Sequence, residues 1–393
     1  MRVESNEQIQ YSSSTRDGSR HVGPNTTISP NIVSCGSVQG MGARDGFKVP
    51  SASRLHLLSR STPTRVIFLP SDTARMLRTI CLPFTVARQH KWKILIGVAA
   101  FVGYGVTTAF NPSPPATLQQ IKADDGKGIA LDDNRVMEYF EYGAVDSTNV
   151  IVALHGAQTT GKLYQLLDDW ATTNNVRIVA PTLPGFGLTT HFPPGTAVEE
   201  EMSLWTSDMK RLLLGELKLK RFHLTGASLG SIYAIRLATA LPADVLQNVE
   251  LYVAFAPAGP DHDPLKGSIL KMFADMEPHP WRKRLFDKFL IIPMLSMMGG
   301  DLKRSLATQW EGLASCSRII YHDWNCDWKG LTNGGKRKVI IVSGTKDAAA
   351  PPPNQHKLHQ EIVGSRLIEF DGPHEGGITN PKMWGDHMSA LLK

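Results

Sequence analysis

A strand-like run, Arg221-Phe222-His223-Leu224-Thr225, leads into Gly226-Ala227-Ser228-Leu229-Gly230, and a helical run from Ser231 to Ala240 leads out. A G-x-S-x-G turn set between strand and helix lifts one serine hydroxyl clear of a sheet. That turn is strained and crowded, so the positions flanking the serine need residues with almost no side chain. The five-residue string alone is a weak signal, because glycine and serine are common. Its flanks turn it into a constraint: the chain must place a strand, a sharp turn and a helix in immediate succession. Leu229 then directs its backbone N–H into the space beside the serine, where a negatively charged oxygen would be stabilised.

A raised serine hydroxyl needs a base, and the base needs an acid to orient it. Both residue types follow at suitable places. Lys338-Val339-Ile340-Ile341-Val342-Ser343 reads as a buried parallel strand, a short β-branched apolar run. It runs into Gly344-Thr345-Lys346-Asp347, which puts Asp347 just past the strand's C-terminal end. A helical segment and a further strand, Arg366-Leu367-Ile368-Glu369-Phe370, precede His374 on the next loop. Open α/β sheets gather their sites at the C-terminal ends of strands. In this arrangement His374 takes the proton of Ser228, and Asp347 holds the imidazole tautomer and stabilises its charge. Asp261 and Asp263, after a strand over Val249 to Phe255, are rival acids on position alone.

The order serine, acid, histidine, together with several turns, resembles the α/β-hydrolase superfamily in its fold-1 branch of serine hydrolases. The resemblance covers about Gly128 to Lys393. Leu131 to Gly143 is similar to the opening hairpin, Val150 to Gly156 to the third strand with its His-Gly turn, and Arg177 to Gly187 to the next strand with its Pro-Gly-Phe-Gly turn. The implied fold is a mostly parallel eight-stranded sheet flanked by helices, with a helical cap inserted at about 258–333. The resemblance also implies that Ala157, after His-Gly, donates the second oxyanion N–H, and that His155 is structural. Two departures leave the subfamily and substrate open. Thr182 stands where the family often has an aspartate, and Ala157-Gln158 stands where it often has bulky residues or proline.

One string points elsewhere. Gly156-Ala157-Gln158-Thr159-Thr160-Gly161-Lys162 matches the G-x-x-x-x-G-K core of a phosphate-binding loop. The chemistry requires a Ser or Thr next, to hold Mg²⁺, and the chain has Leu163. It also requires a second strand ending in aspartate, whereas the strands before Pro257 and Pro181 end in neither Asp nor Glu. These glycines read instead as turn residues opening a helix from Lys162 to Thr172.

The net charge of +6 arises at the front of the chain. Residues 1–110 carry 13 basic and 5 acidic residues, and the other 29 basic and 31 acidic residues nearly cancel. A domain so close to neutral lacks the basic footprint of a nucleic-acid partner. Residues 1–93 read as a Ser/Arg-rich extension, disordered or targeting. Ile94 to Phe110 is uncharged for seventeen residues, the short end of a spanning helix. Arg75, Arg78, Arg88, Lys91 and Lys93 precede it, and Lys122 and Lys127 follow. The positive-inside rule then gives a single-pass protein with a cytosolic N-terminus and the domain at 128–393 on the opposite side of the membrane. A cleaved signal or transit segment is the alternative, with 111–127 as linker in either case.

No Cys/His cluster has metal spacing, and no cofactor motif survives, so neither a metal nor a cofactor is expected. Cys316 and Cys326 have nine residues between them and are open to pairing or to a reduced state. The insertion reads as helices over Ile269–Met276, Trp281–Met298 and Leu302–Cys316, rich in Met, Trp and Leu. Its apolar stripe is first a small core of its own and second the lining of a pocket. The resulting expectation is a serine hydrolase acting on an ester-type bond of a small apolar molecule. The alternatives are a catalytically silent binding protein of the same fold and a hydrolase of thioesters or C–C bonds.

Overall fold

The computed structural model describes Gly103 and residues 113–393 apart from 269, 277–279, 298, 307–308 and 325. The extension at 1–93 and the candidate span at 94–110, Gly103 excepted, lie outside the described residues. No helix among the described residues is long and apolar enough to cross a membrane.

Eight strands form one sheet: β1 (Lys127–Ala130), β2 (Val136–Gly143), β3 (Val150–Leu154), β4 (Arg177–Pro181), β5 (Phe222–Ala227), β6 (Leu246–Tyr252), β7 (Val339–Gly344) and β8 (Arg366–Phe370). Their order is β1-β2-β4-β3-β5-β6-β7-β8. β1 and β2 run antiparallel to their neighbours, and the other six are mutually parallel. The expected fold is therefore the observed one. The inner strands are nearly continuous apolar runs because helices cover both faces. All five residues of β3 are buried. Edge strand β8 exposes Arg366 and Glu369 instead, charges that discourage pairing with a further strand.

Strand alternation divides the core. Val150, Val152 and Leu154 pack on one face with Trp205, Leu224 and Leu237. Ile151 and Ala153 pack on the other with Tyr164, Leu167, Trp384 and Met388. Three segments read from sequence take a different form. The linker at 111–127 contains helix α1 (Leu118–Ala123), whose N-terminus carries a reciprocal Thr117–Gln120 capping box. It buries Ile121 completely beside β1. The helix expected over Lys162–Thr172 is a 3-10 stretch (Gly161–Leu167) that becomes α2 (Asp168–Thr173). The next two helices are α3 (Val198–Lys210) and α4 (Leu229–Thr239).

The cap contains α5 (Lys271–Asp275), α6 (Pro280–Phe286), a π-turn (Asp287–Ile291), α7 (Ile292–Ser296), α8 (Gly300–Ser305), α9 (Glu311–Ile320) and α10 (Trp328–Thr332). The single helix expected over Leu302–Cys316 is thus two. Tertiary bonds explain the break: Gln309 donates its side-chain N–H to the Pro114 carbonyl at 2.8 Å, and Gly312 donates its backbone N–H to the Gly185 carbonyl at 3.0 Å. Helices α11 (Pro353–Glu361), α12 (Gly376–Thr379) and α13 (Pro381–Leu392) complete the chain.

One buried acid makes stability depend on pH. Glu250 on β6 is fully buried, and its Oε1 accepts the Thr225 hydroxyl at 2.9 Å. Burial pushes its pKa up from 4.5 to about 7. A raised folded-state pKa means that this contribution is complete below pH 4.5 and is lost as pH rises through 7. Thermal melts of Glu250→Gln should lose that decline between pH 4.5 and 7 and show a higher midpoint than wild type at pH 8. An unchanged pH slope would show that Glu250 does not set it.

Candidate active site

Ser228 sits between β5 and α4 with φ 53° and ψ −120°. A non-glycine residue with positive φ is strained and persists only where its surroundings hold it. Here its N–H donates to the Tyr252 carbonyl at 2.9 Å, and its carbonyl accepts the Ser231 N–H at 3.0 Å and the Ser231 hydroxyl at 2.6 Å. The glycines are required by close approach. A Cβ at Gly226 would lie 2.5 Å from the Gly230 carbonyl oxygen, and one at Gly230 would lie 2.5 Å from the carbonyl oxygens of both Leu154 and His155. The strand, the helix start and the end of β3 therefore meet backbone to backbone beneath the serine.

The His-Gly turn after β3 stands beside the serine. A Cβ on Gly156 would come within 3.1 Å of the Ser228 Cβ. Ala157, Ser228 and Leu229 share the lining of one cavity of about 40 Å³, with Phe255, Leu265 and Leu313 as part of its apolar wall. Leu229 is the first residue of α4, where backbone N–H groups lack intrahelical acceptors and carry the positive end of the helix dipole.

Asp347 follows β7, and His374 follows β8. The His374 Nδ1–H donates to Asp347 Oδ2 at 2.7 Å. The other carboxylate oxygen, Oδ1, accepts the backbone N–H groups of Ala349 and Ala350, each at 2.8 Å. Those bonds fix which oxygen meets the imidazole. His374 and Ser228 line a second cavity of about 70 Å³, together with Thr159, Tyr252, Ile378 and Trp384. The Ser228 hydroxyl makes no hydrogen bond among the described residues, so the serine–histidine contact is not closed in this conformation. Such contacts commonly tighten only when substrate is bound.

The alpha/beta hydrolase family matches residues 151–376, more than half of the sequence and the strands from β3, all but its first residue, to β8. This chain belongs to that family. Solved structures agree on the fold at low identity. A hydrolase from Pseudomonas aeruginosa aligns with a TM-score of 0.53 and 18% identity, covering 69% of this chain and 99% of its own. An esterase from Exiguobacterium antarcticum aligns at 0.52 and 18%, covering 68% and 99%. An enol-lactonase from Burkholderia xenovorans aligns at 0.52 and 22%, covering 67% and 99%. No curated protein matches the sequence.

Within this family member, the rival acids have other neighbours. Asp263 Oδ1 accepts the Tyr321 hydroxyl at 2.6 Å and the Leu265 N–H at 3.0 Å, and Oδ2 pairs with Lys271 at 3.1 Å. Asp261 is exposed. His155 is fully buried, and burial pushes its pKa down to about 3, so it is neutral. Its Nδ1 lies 2.7 Å from the Gly156 carbonyl, and its Nε2 accepts the Leu183 N–H at 2.8 Å. That neutral ring ties the His-Gly turn to the Pro-Gly-Phe-Gly turn, a structural task.

The phosphate-loop look-alike is closed by protein. Asp301 on α8 takes both the Thr160 N–H, at 2.7 Å, and the Thr160 hydroxyl, at 2.5 Å. Gly161 donates its N–H to the Thr182 hydroxyl at 3.1 Å. A carboxylate thus sits where a phosphate would have to bind. Thr182 in turn donates to Glu138 Oε2 at 2.9 Å, and Arg304 pairs with both oxygens of Glu138. Glu138, from β2, therefore brings a carboxylate to the position where Thr182 departs from the family habit. Cys316 and Cys326 form no disulfide. His356 bonds Glu369 and His359 bonds Ser365, and no group of three or more His, Cys, Asp or Glu among the described residues is placed to hold a metal.

Sequence reasoning missed two groups near the serine. Gln158, with φ 64°, lines the 40 Å³ cavity, as does Lys283 from the cap. The Lys283–Asp287 spacing of four residues was the available signal for the second.

Proposed function

We propose that this chain is a serine hydrolase cleaving ester-type bonds of small, largely apolar molecules. Ser228 is the nucleophile, His374 the general base, and Asp347 the group that orients and stabilises the imidazolium. The observation that carries the reading is the shared cavity of Ser228 and His374, with His374 Nδ1 held on Asp347. Because Nδ1 donates to the carboxylate, Nε2 is the basic nitrogen. It takes the Ser228 proton as Oγ bonds to the substrate carbonyl carbon. The carbonyl oxygen becomes negative and faces the N–H groups of Ala157 and Leu229. The imidazolium then protonates the leaving oxygen as the C–O bond breaks, leaving an acyl-serine. Water, deprotonated by His374, repeats the sequence and releases the acid.

Proton delivery assigns the two cavities. The leaving group must sit near His374, hence in the 70 Å³ cavity, and the acyl group falls to the 40 Å³ cavity. A water needs roughly 10–15 Å³ of such volume, so the acyl side holds only a few heavy atoms. The kcat/KM of p-nitrophenyl esters should accordingly peak at short acyl chains, about two to five carbons, and fall at least tenfold by ten carbons. A rise in kcat/KM up to ten carbons would overturn the acyl-side assignment. The test of the reading itself is covalent labelling by a fluorophosphonate probe, with the modified peptide identified by mass spectrometry. A label on any residue other than Ser228 refutes it.

A further inference from the structure

We infer that Lys283 selects acyl groups bearing a neutral oxygen acceptor, a keto or ether oxygen, beyond the scissile carbonyl. The inference deepens the serine-hydrolase reading and rests on it. Lys283 is on α6 of the cap, is 4% exposed, and lines the acyl-side cavity beside Leu229, Phe255, Leu265 and Leu313. Burying an ammonium among such side chains is costly unless it is paired and hydrogen-bonded. The pairing is present. Lys283 Nζ donates to Asp287 Oδ2 at 2.8 Å and to the Ala314 carbonyl on α9 at 2.9 Å. Asp287 itself is 0% exposed.

An ammonium has three N–H donors. Two are engaged, and the third has no partner among the described residues. A pocket that only gripped hydrocarbon would gain nothing from this arrangement. Replacing a buried ion pair by apolar residues of similar size is often neutral or stabilising. A residue bordering the cavity with one donor unengaged is suited to meet an oxygen carried in by the substrate. The sign of the local charge selects the class. The Asp287 carboxylate lies 2.8 Å from the ammonium, so a carboxylate on the acyl chain would meet like charge beside it. A neutral acceptor completes the third bond with no such conflict. Lys283 also borders a separate cleft of about 380 Å³ whose lining includes Arg135, Arg284 and Arg318, and the first and last of these reach carboxylates. Arg135 is paired with Asp208 and Arg318 with Glu201.

The test compares near-isosteric p-nitrophenyl esters on the full-length protein: 4-oxopentanoate against 4-methylpentanoate, and 3-methoxypropanoate against pentanoate. The ratio of kcat/KM within each pair, corrected for hydroxide-catalysed rates, should fall about tenfold to a hundredfold in Lys283→Met, the range for one hydrogen bond to a charged group. The readout is this ratio, in which any loss of rate common to both esters cancels. Lys283→Met removes the ammonium bonded to Asp287 Oδ2, so Lys283→Met/Asp287→Leu removes the pair together and covers the case in which the single variant does not fold. If Lys283 only braces α6 against α9, both esters in a pair lose rate equally and the ratio stays put, which overturns the inference. If wild type cleaves neither ester and takes no fluorophosphonate, the serine-hydrolase reading falls and this one falls with it.

Discussion

Ser228→Ala should lower kcat/KM for any ester substrate by about 10⁴-fold or more, on the scale set by triad knockouts, and should end labelling by active-serine probes. The expected size follows from what remains. On the proposed mechanism the two backbone donors of Ala157 and Leu229 and the cavities stay in place, but no atom is left to form the acyl bond. The fold should tolerate the change. The Ser228 hydroxyl makes no hydrogen bond among the described residues, and the turn is held by backbone bonds to Tyr252 and Ser231. Thermal midpoints within a few degrees of wild type, alongside lost turnover, would separate chemistry from collapse. Retained turnover in a folded variant would move the nucleophile elsewhere.

Asp347→Asn should cost about 10⁴-fold in kcat, the scale seen when a triad acid is made neutral. The local geometry explains why a near-isosteric change is so damaging. Oδ1 of residue 347 is committed to the N–H groups of Ala349 and Ala350. An asparagine keeps its oxygen there and turns its NH₂ toward His374. The imidazole must then accept at Nδ1 and carry its proton on Nε2, the wrong tautomer to deprotonate serine. His374→Ala should cost at least as much. Asp263→Asn is the control. Asp263 is held by Tyr321, Leu265 and Lys271 rather than by a histidine, and its loss should change kcat less than about fivefold. If Asp263→Asn abolished turnover and Asp347→Asn did not, the acid would lie after β6.

The fold and the meeting of these residues at one end of the sheet were readable along the chain because the signals are local. A strand followed by Gly-x-Ser-x-Gly and a helix needs only about twenty consecutive residues. The positive φ of Ser228 and the backbone contacts of Gly226 and Gly230 are what that spacing demands. Asp347 and His374 each lie just past a β-branched or apolar strand, so parallel pairing of β7 with β8 brings them together. Order and strand ends sufficed to propose their meeting, and the 2.7 Å bond between them is the geometric result.

Tertiary structure decided what depends on residues far apart in the chain. Arg304 reaches Glu138 across 166 positions, and Asp301 reaches Thr160 across 141. No periodicity encodes either contact, yet they seat α8 of the cap beside β2 and close the look-alike phosphate loop. The same holds for Gln309, which bonds Pro114 across 195 positions between α8 and α9, and for Ile121, buried in a stretch that reads as linker. Lys283 reads in sequence as an ordinary charge on an amphipathic helix. Only the folded cap buries it at the serine's cavity, because its Asp287 and Ala314 partners arrive from the next turn and from another helix. Local sequence determines where a nucleophile can stand. Which groups surround it is a matter of packing, and packing is a property of the whole chain.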